Sequence, residues 1–185
     1  MDGQLLDVVA ADAPGASLSE ISVIHQLKTG LYTTEGPLVL GALLAGASLE
    51  SPVVAALRGW AGPVGEAFQL IDDILGAVGD AEETGKPSCG DLREGKRSAV
   101  LEEALVRLQG EAQATLKALT GRPLDDAETA RARALIVDSG AVEAVRARAA
   151  QLGEEGLRAL ISVPMDEATR ALFAGLTQLI VDRRS

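Results

Sequence analysis

The chain has 185 residues, 47% hydrophobic and 24% charged, a globular balance rather than that of a disordered segment. Its formal net charge of −10 and pI near 4.6 give a surface that repels nucleic acid and anionic lipid, which excludes both as expected partners. Aromatic residues make up only 2% while Ala and Leu abound, so the expected class is all-α, because strands draw on β-branched and aromatic side chains.

Gln4 to Ala11 reads as a short helix closed by the Asp12-Ala13-Pro14-Gly15 turn. Met1 to Asp12 has neither a basic start nor a long apolar core, so no signal peptide is expected. Ser17 with Glu20 forms a capping box for a helix running through Ile21, Ile24, His25 and Lys28 towards Tyr32. Gly36-Pro37 marks a break, and Leu38 to Ala47 is apolar on nearly every side, as a central bundle helix would be. That stretch is too short to span a bilayer, and no membrane span is expected elsewhere. The single cysteine, Cys89, allows no internal disulfide and fits a reducing, cytoplasmic setting.

Ser51-Pro52 opens the next helix, with proline at a first-turn position where its missing N–H costs little. Val53 to Ala77 is long and apolar, and carries Gln69, Asp72 and Asp73 near its end. Residues 79–98, rich in Gly, Lys and Asp, form the one extended polar loop. Three further helices are expected over Val100 to Leu119, Asp125 to Glu155 with a break at Ser139-Gly140, and Asp166 to Arg183. One helical domain over 1–185 accounts for the whole pattern, with no internal repeat.

Gln69, Asp72, Asp73 and Gly76 follow the i, i+3, i+4, i+7 spacing of one helix face. Two adjacent carboxylates repel by about 1 kcal/mol in water and by several at protein-like dielectric. A hard divalent cation removes that penalty, and magnesium takes oxygen ligands of this type. Two readings of the pair stand on the residues alone: a metal site, or a solvated face near the helix end. Lys28 near a helix C-terminus can simply complement the dipole. Lys86, Lys96 and Arg97 in the polar loop can be solvated charge. Taken together, however, carboxylates for a metal followed within one loop by several lysines are what a diphosphate requires, since each compensates part of its charge. His25 reads as structural, and no Ser/His/Asp set, Walker loop or dinucleotide fingerprint is present.

Four segments, in order, resemble the trans-isoprenyl (polyprenyl) diphosphate synthases, over Gly3 to about Val106. Gly3-Gln4 with Asp7 is similar to the segment preceding their Lys-Thr helix. Lys28-Thr29-Gly30-Leu31-Tyr32 resembles that helix. Phe68-Gln69-Leu70-Ile71-Asp72-Asp73-Ile74-Leu75 looks like their second aspartate-rich motif. Gly79-Asp80, Thr84-Gly85-Lys86-Pro87 and Asp91-Leu92-Arg93-Glu94-Gly95-Lys96-Arg97-Ser98 are similar to the loop after it.

The resemblance implies a partial helical bundle of the isoprenoid synthase type and the carboxy-terminal half of a magnesium-dependent prenyltransferase. The implied reaction condenses isopentenyl diphosphate with an allylic prenyl diphosphate, most similar to geranylgeranyl diphosphate synthesis. By position, Asp72 binds magnesium at the allylic diphosphate, and Asp73 and Gln69 support that site. Lys28 and Lys86 contact the diphosphate, Lys96 adds positive charge, and Thr29 and Gln4 line the cavity of the allylic cation.

Two departures accompany the resemblance. Gly76 stands where many members carry a third aspartate. The family's first aspartate motif has no counterpart, since Asp72-Asp73 and Asp125-Asp126 are the only adjacent aspartates and the latter mark a helix start. A shortened chain is therefore expected, with little turnover alone. Its open apolar helices call for a homo-oligomer, such as a dimer, or association with a full-length synthase. Three other readings are a non-catalytic partner or remnant of such a synthase, a terpene cyclase of the same architecture, and a plain helical scaffold.

Overall fold

The structure, a computed structural model, describes residues 33–79 and 89–183. Among these residues there is no strand, and eight α-helices follow one another: α1 (Gly36–Leu44), α2 (Pro52–Val78), α3 (Gly90–Arg93), α4 (Ala99–Arg107), α5 (Gly110–Leu119), α6 (Asp126–Asp138), α7 (Ala141–Ala159) and α8 (Glu167–Val181). A single 3-10 turn, Leu160–Ser162, joins α7 to the segment before α8. The expected all-α class is what the chain adopts.

Helix α2, 27 residues and about 40 Å long, is the axis of the fold. Pro52 occupies its first turn, and the Ser51 hydroxyl accepts the Val54 N–H at 3.3 Å. At its other end the Arg133 Nε donates to the Val78 carbonyl at 3.1 Å, occupying one of the acceptors that every helix C-terminus leaves open. The amino-terminal half of α2 buries Ala56, Leu57, Trp60, Ala61 and Val64 against Leu160, Val163 and Phe173. Its carboxy-terminal half buries Ala67, Leu70, Ile71, Ile74 and Ala77 in a larger cluster with α3, α4, α5, α6 and α7. The motif helix is thus apolar on two sides, which leaves its polar residues only the remaining strip.

Helix α7 runs close along α2 because small residues face it. A Cβ on Gly156 would lie 2.8 Å from Val64 Cγ2 and 3.0 Å from the Trp60 carbonyl oxygen. Helix α8 then docks on α2 through an aromatic pair, Trp60 and Phe173, with ring centroids 4.8 Å apart at 77°, an edge-to-face geometry.

The sequence pattern predicts one helix over Val100 to Leu119, and here the structure differs: α4 ends at Arg107 and α5 begins at Gly110. Leu108 and Gln109 are extended between them, and Gly110 has φ +59°, a conformation that favours glycine. The break turns Leu108 onto the core, while the Gln113 side-chain amide donates to the Leu105 carbonyl at 2.8 Å. Two further differences are that Gly36-Pro37, expected as a break, opens α1, where a first-turn proline is tolerated, and that α3 (Gly90–Arg93) forms inside the segment expected to be an extended polar loop. Gly140, at φ +73°, separates α6 from α7. Asp125 caps α6 in a reciprocal box with Glu128, and Asp166 caps α8 by accepting the Thr169 N–H at 2.7 Å.

Several large apolar side chains stay open to solvent. Leu40 and Leu44 on α1, Leu49 and Val53 at the start of α2, and Leu172, Leu176 and Leu179 on α8 are all at least 40% exposed. Among the described residues, no helix is long and apolar enough to cross a membrane.

Candidate functional site: the acidic face of the central helix

Asp72 and Asp73 are consecutive on α2, so their side chains leave the helix about 100° apart and meet different neighbours. Asp73 turns towards α4. Its Oδ2 accepts the backbone N–H of Ala99, the first residue of that helix, at 2.6 Å. The first N–H groups of a helix lack internal partners and carry its positive end, so a carboxylate there is both a hydrogen-bond acceptor and a counter-charge. Ser98, the N-cap, accepts the Leu101 N–H at 3.4 Å and completes the start of α4. Asp73 is thereby held in one orientation.

Asp72 faces the other way and is half-exposed, at 46% for its side chain. Its Oδ1 lies 3.6 Å from a guanidinium nitrogen of Arg183, just past the end of α8. The same guanidinium stands over the Phe68 ring, 5.5 Å from its centroid and one helical turn before Asp72. Gln69 sits between Phe68 and Asp72 on α2 and is half-buried.

One turn beyond Asp72, the open side of Gly76 is filled from outside the helix. A Cβ built on Gly76 would fall 2.0 Å from Oδ2 of Asp91 on α3. The other oxygen of Asp91 is 3.1 Å from Lys96 Nζ, and Lys96 also meets Glu94 at 2.7 Å. Chiefly through its bond to Glu94, and also through Asp91, the Lys96 ammonium is pushed up to about 12, and it stays charged throughout the neutral range. Lys96 therefore reaches the motif helix by way of Asp91. Arg97 turns to Glu102, with its Nε donating at 2.6 Å.

Of the residues expected at the site, Gln69, Asp72 and Asp73 share α2, and Lys96 is joined to that helix beside Gly76. Gln4, Lys28, Thr29 and Lys86 lie outside the described residues. Two neighbours were not singled out by the sequence. Asp91 belongs to the loop motif, but nothing in its spacing relates it to the missing side chain at position 76. Arg183 looks like the ordinary basic end of a last helix, and only the docking of α8 on α2 brings it to Asp72.

The donor set suits a hard divalent cation. Asp72 offers carboxylate oxygens that are partly open to solvent and already face a positive group, while Asp73 is fixed beside it by the Ala99 N–H. Among the described residues no three His, Cys, Asp or Glu side chains gather tightly enough to enclose an ion. Asp72 offers open oxygens of the kind magnesium takes when a ligand and solvent also hold it.

A long central helix with outward carboxylates, wrapped by shorter helices, is an all-α arrangement, and its likeness to solved structures makes it one of the isoprenoid synthase type. The crystal structure of a geranylgeranyl pyrophosphate synthase from Corynebacterium glutamicum, complexed with isoprenyl diphosphate and magnesium, matches 99% of this chain with a TM-score of 0.91 and 36% identity, over 52% of its own length. Geranylfarnesyl diphosphate synthase of Aeropyrum pernix is 33% identical over 183 residues, 98% of this chain and 55% of the relative. All-trans-nonaprenyl-diphosphate synthase (geranyl-diphosphate specific) of Rhodobacter capsulatus is 33% identical over 98% of this chain and 54% of its own. The polyprenyl synthetase family model matches residues 1–136, and the chain belongs to that family. It spans about half the length of the curated relatives it matches.

Proposed function

We propose that residues 1–185 form one helical unit, the carboxy-terminal portion of a trans-isoprenyl diphosphate synthase, acting in the cytoplasm. The unit supplies the second acidic site for condensing isopentenyl diphosphate with an allylic prenyl diphosphate. The observation that carries this reading is the division of labour on α2: Asp73 is pinned by the Ala99 N–H at 2.6 Å, and Asp72 is left half-open towards a cation.

In the condensation, the allylic carbon–oxygen bond breaks and the electron pair leaves with pyrophosphate. The double bond of isopentenyl diphosphate forms the new carbon–carbon bond, and a proton is lost to the departing pyrophosphate. Magnesium, when bound, supplies positive charge to the diphosphate oxygens as the bond breaks. Asp72 holds that charge in place, Asp73 fixes the helix surface around it, and Gln69 supports it from the preceding turn. Lys28 and Lys86 hold the diphosphate, Lys96 keeps a protonated ammonium nearby, and Thr29 and Gln4 line the cavity of the allylic cation. Preorganised charge of this kind is worth most where it meets charge that develops only in the transition state.

The relatives named above differ in product length, and this chain is read as closest to geranylgeranyl synthesis on its loop residues. The open leucines of α1 and α8 favour a chain that works in association, either as a homo-oligomer or with a polypeptide carrying the first aspartate motif. A non-catalytic partner of a full-length synthase is the second reading, supported by those same open faces and by the single acidic motif.

The test is an assay of labelled isopentenyl diphosphate with allylic diphosphates and magnesium. The chain is tested alone and mixed with a polypeptide bearing the first motif. Little or no product is expected from the chain alone, and magnesium-dependent product is expected from the mixture. Robust turnover by the chain alone would overturn the account of its missing part. Product from the mixture that is indifferent to Asp72→Asn would overturn the site.

A further inference from the structure

The Arg183 guanidinium meets Asp72 and Phe68 on one face of α2. The Asp72 carboxylate lies at 3.6 Å, and the Phe68 ring at 5.5 Å. Phe68 and Asp72 are i and i+4, neighbours on a helix, so together they make a seat with an aromatic floor and an anionic wall. The group that fills it comes from the far end of the chain. Arg183 lies two residues past the end of α8, which is fixed to α2 by the Trp60–Phe173 pair and by the Trp60 indole N–H, which donates to Thr177 at 3.0 Å. The seat is therefore filled by a tethered cation, whose local concentration is set by a docked helix rather than by solution.

We propose that Arg183 is a built-in counter-ion that occupies the cation position at Asp72 until a divalent ion displaces it. This inference rests on the reading of Asp72 as a metal ligand. A guanidinium and a divalent cation on the same carboxylate repel each other across a few ångströms, so each weakens the hold of the other. The divalent ion carries twice the charge and binds carboxylate oxygens directly, so it wins when present at sufficient concentration. Without it, Arg183 supplies the positive charge beside Asp72. Metal binding and release of the Arg183 guanidinium are then two sides of one exchange.

The experiment titrates Mn2+, a hard-cation probe readable by electron paramagnetic resonance of the free ion, into the 185-residue chain. Asp72→Asn serves as the control that locates the ion. Arg183→Ala should bind Mn2+ roughly three- to tenfold more tightly than wild type, the factor a half-exposed ion pair and a cation–π contact together supply. Phe68→Leu changes no charge but loosens the guanidinium, and it should tighten Mn2+ binding by about twofold to threefold. That second variant separates a seated counter-ion from a general change of charge.

Equal Mn2+ affinity in wild type and Arg183→Ala, with both binding saturably, would overturn the exchange and leave the metal site standing. So would a gain in Arg183→Ala that persists in the Asp72→Asn background. Absence of saturable binding in wild type, Arg183→Ala and Phe68→Leu alike would overturn the metal reading itself, and the exchange with it. Thermal melts of each variant confirm that the comparison is between folded chains.

Discussion

The carboxylate of Asp91 occupies the space into which a side chain at Gly76 would project, with only 2.0 Å between Oδ2 and an ideal Cβ. Gly76 is thus the partner of a carboxylate that arrives from α3, held by Lys96 at 3.1 Å. Restoring an aspartate at position 76 would force Asp91 out of its place and set a second negative charge against it. Gly76→Asp is expected to lower stability by about 1–3 kcal/mol, read by urea denaturation. The same contact gives a sharper test in a double-mutant cycle. Gly76→Ala should be better tolerated in an Asp91→Ala background than in wild type, with a coupling of about 0.5–3 kcal/mol. Additive effects would show that the two residues do not meet.

Asp73 should have a structural share that shows without substrate. Asp73→Ala removes the acceptor of the Ala99 N–H and the negative charge at the start of α4. A loss of about 1–2 kcal/mol is expected, comparable to that of a helix cap. Asp73→Asn keeps an oxygen acceptor and should lose less. Asp72→Ala breaks only a half-exposed ion pair and should cost about 0–1 kcal/mol. Thermal unfolding of the three variants should rank them in that order, whatever their effect on ligands.

A buried hydrogen bond and an aromatic pair dock α8 on α2. Thr177 accepts the Trp60 indole N–H at 3.0 Å and donates its own hydrogen to the Phe173 carbonyl at 2.8 Å. Thr177→Val leaves a buried N–H without an acceptor, a cost of about 1–3 kcal/mol. Trp60 is the only tryptophan, so its fluorescence reports the surroundings of this one side chain. A red-shifted emission in Thr177→Val, under conditions where the far-ultraviolet dichroism is kept, is the expected signature. Unchanged emission and stability would mean that α8 does not rely on this bond.

Acid should weaken the start of α6. The Arg122 guanidinium, and then the Asp125 backbone N–H, hold the Glu128 carboxyl down to about 2, against an ordinary value of 4.5. Because the folded value is lowered, the contribution is present above about 4.5 and is lost as pH falls through about 2. Nuclear magnetic resonance titration should find Glu128 near 2 in wild type and closer to its ordinary value in Arg122→Ala. A Glu128 that titrates alike in both would remove the guanidinium as the cause.

The open leucines predict association. Leu172, Leu176 and Leu179 lie on successive turns of one face of α8, and Leu40 and Leu44 are exposed on α1. Sedimentation equilibrium should show self-association at micromolar concentration. A Leu40→Glu, Leu44→Glu pair or a Leu172→Glu, Leu179→Glu pair should weaken it, and the pair that does so marks the face used. A monodisperse wild-type monomer would contradict this expectation.

Much of the fold could be read from local signals. Ser51-Pro52, Asp125 with Glu128, and Asp166 announce their helices because caps are written in a few adjacent residues. The division of Val100 to Leu119 into α4 and α5 was not legible, because Leu108-Gln109 carry no strong breaker and Gly110 alone is compatible with a helix interior. The place of Gln69, Asp72 and Asp73 on one long helix was legible from helical spacing. Their different surroundings were not, since one residue's step on a helix becomes a choice between α4 and α8 only after packing. Asp91 beside Gly76 and Arg183 beside Asp72 are meetings of residues distant in sequence, and such pairings carry no local signature.

The acidic face of α2 is read as a place where a cation and a pyrophosphate group bind together, and calorimetry addresses that claim without needing turnover. Inorganic pyrophosphate is titrated into the chain with and without Mg2+, and into Asp72→Asn under the same conditions. Saturable binding that requires Mg2+ and is lost in Asp72→Asn is the predicted result. Equal pyrophosphate binding without the metal, or binding undiminished in Asp72→Asn, would contradict it.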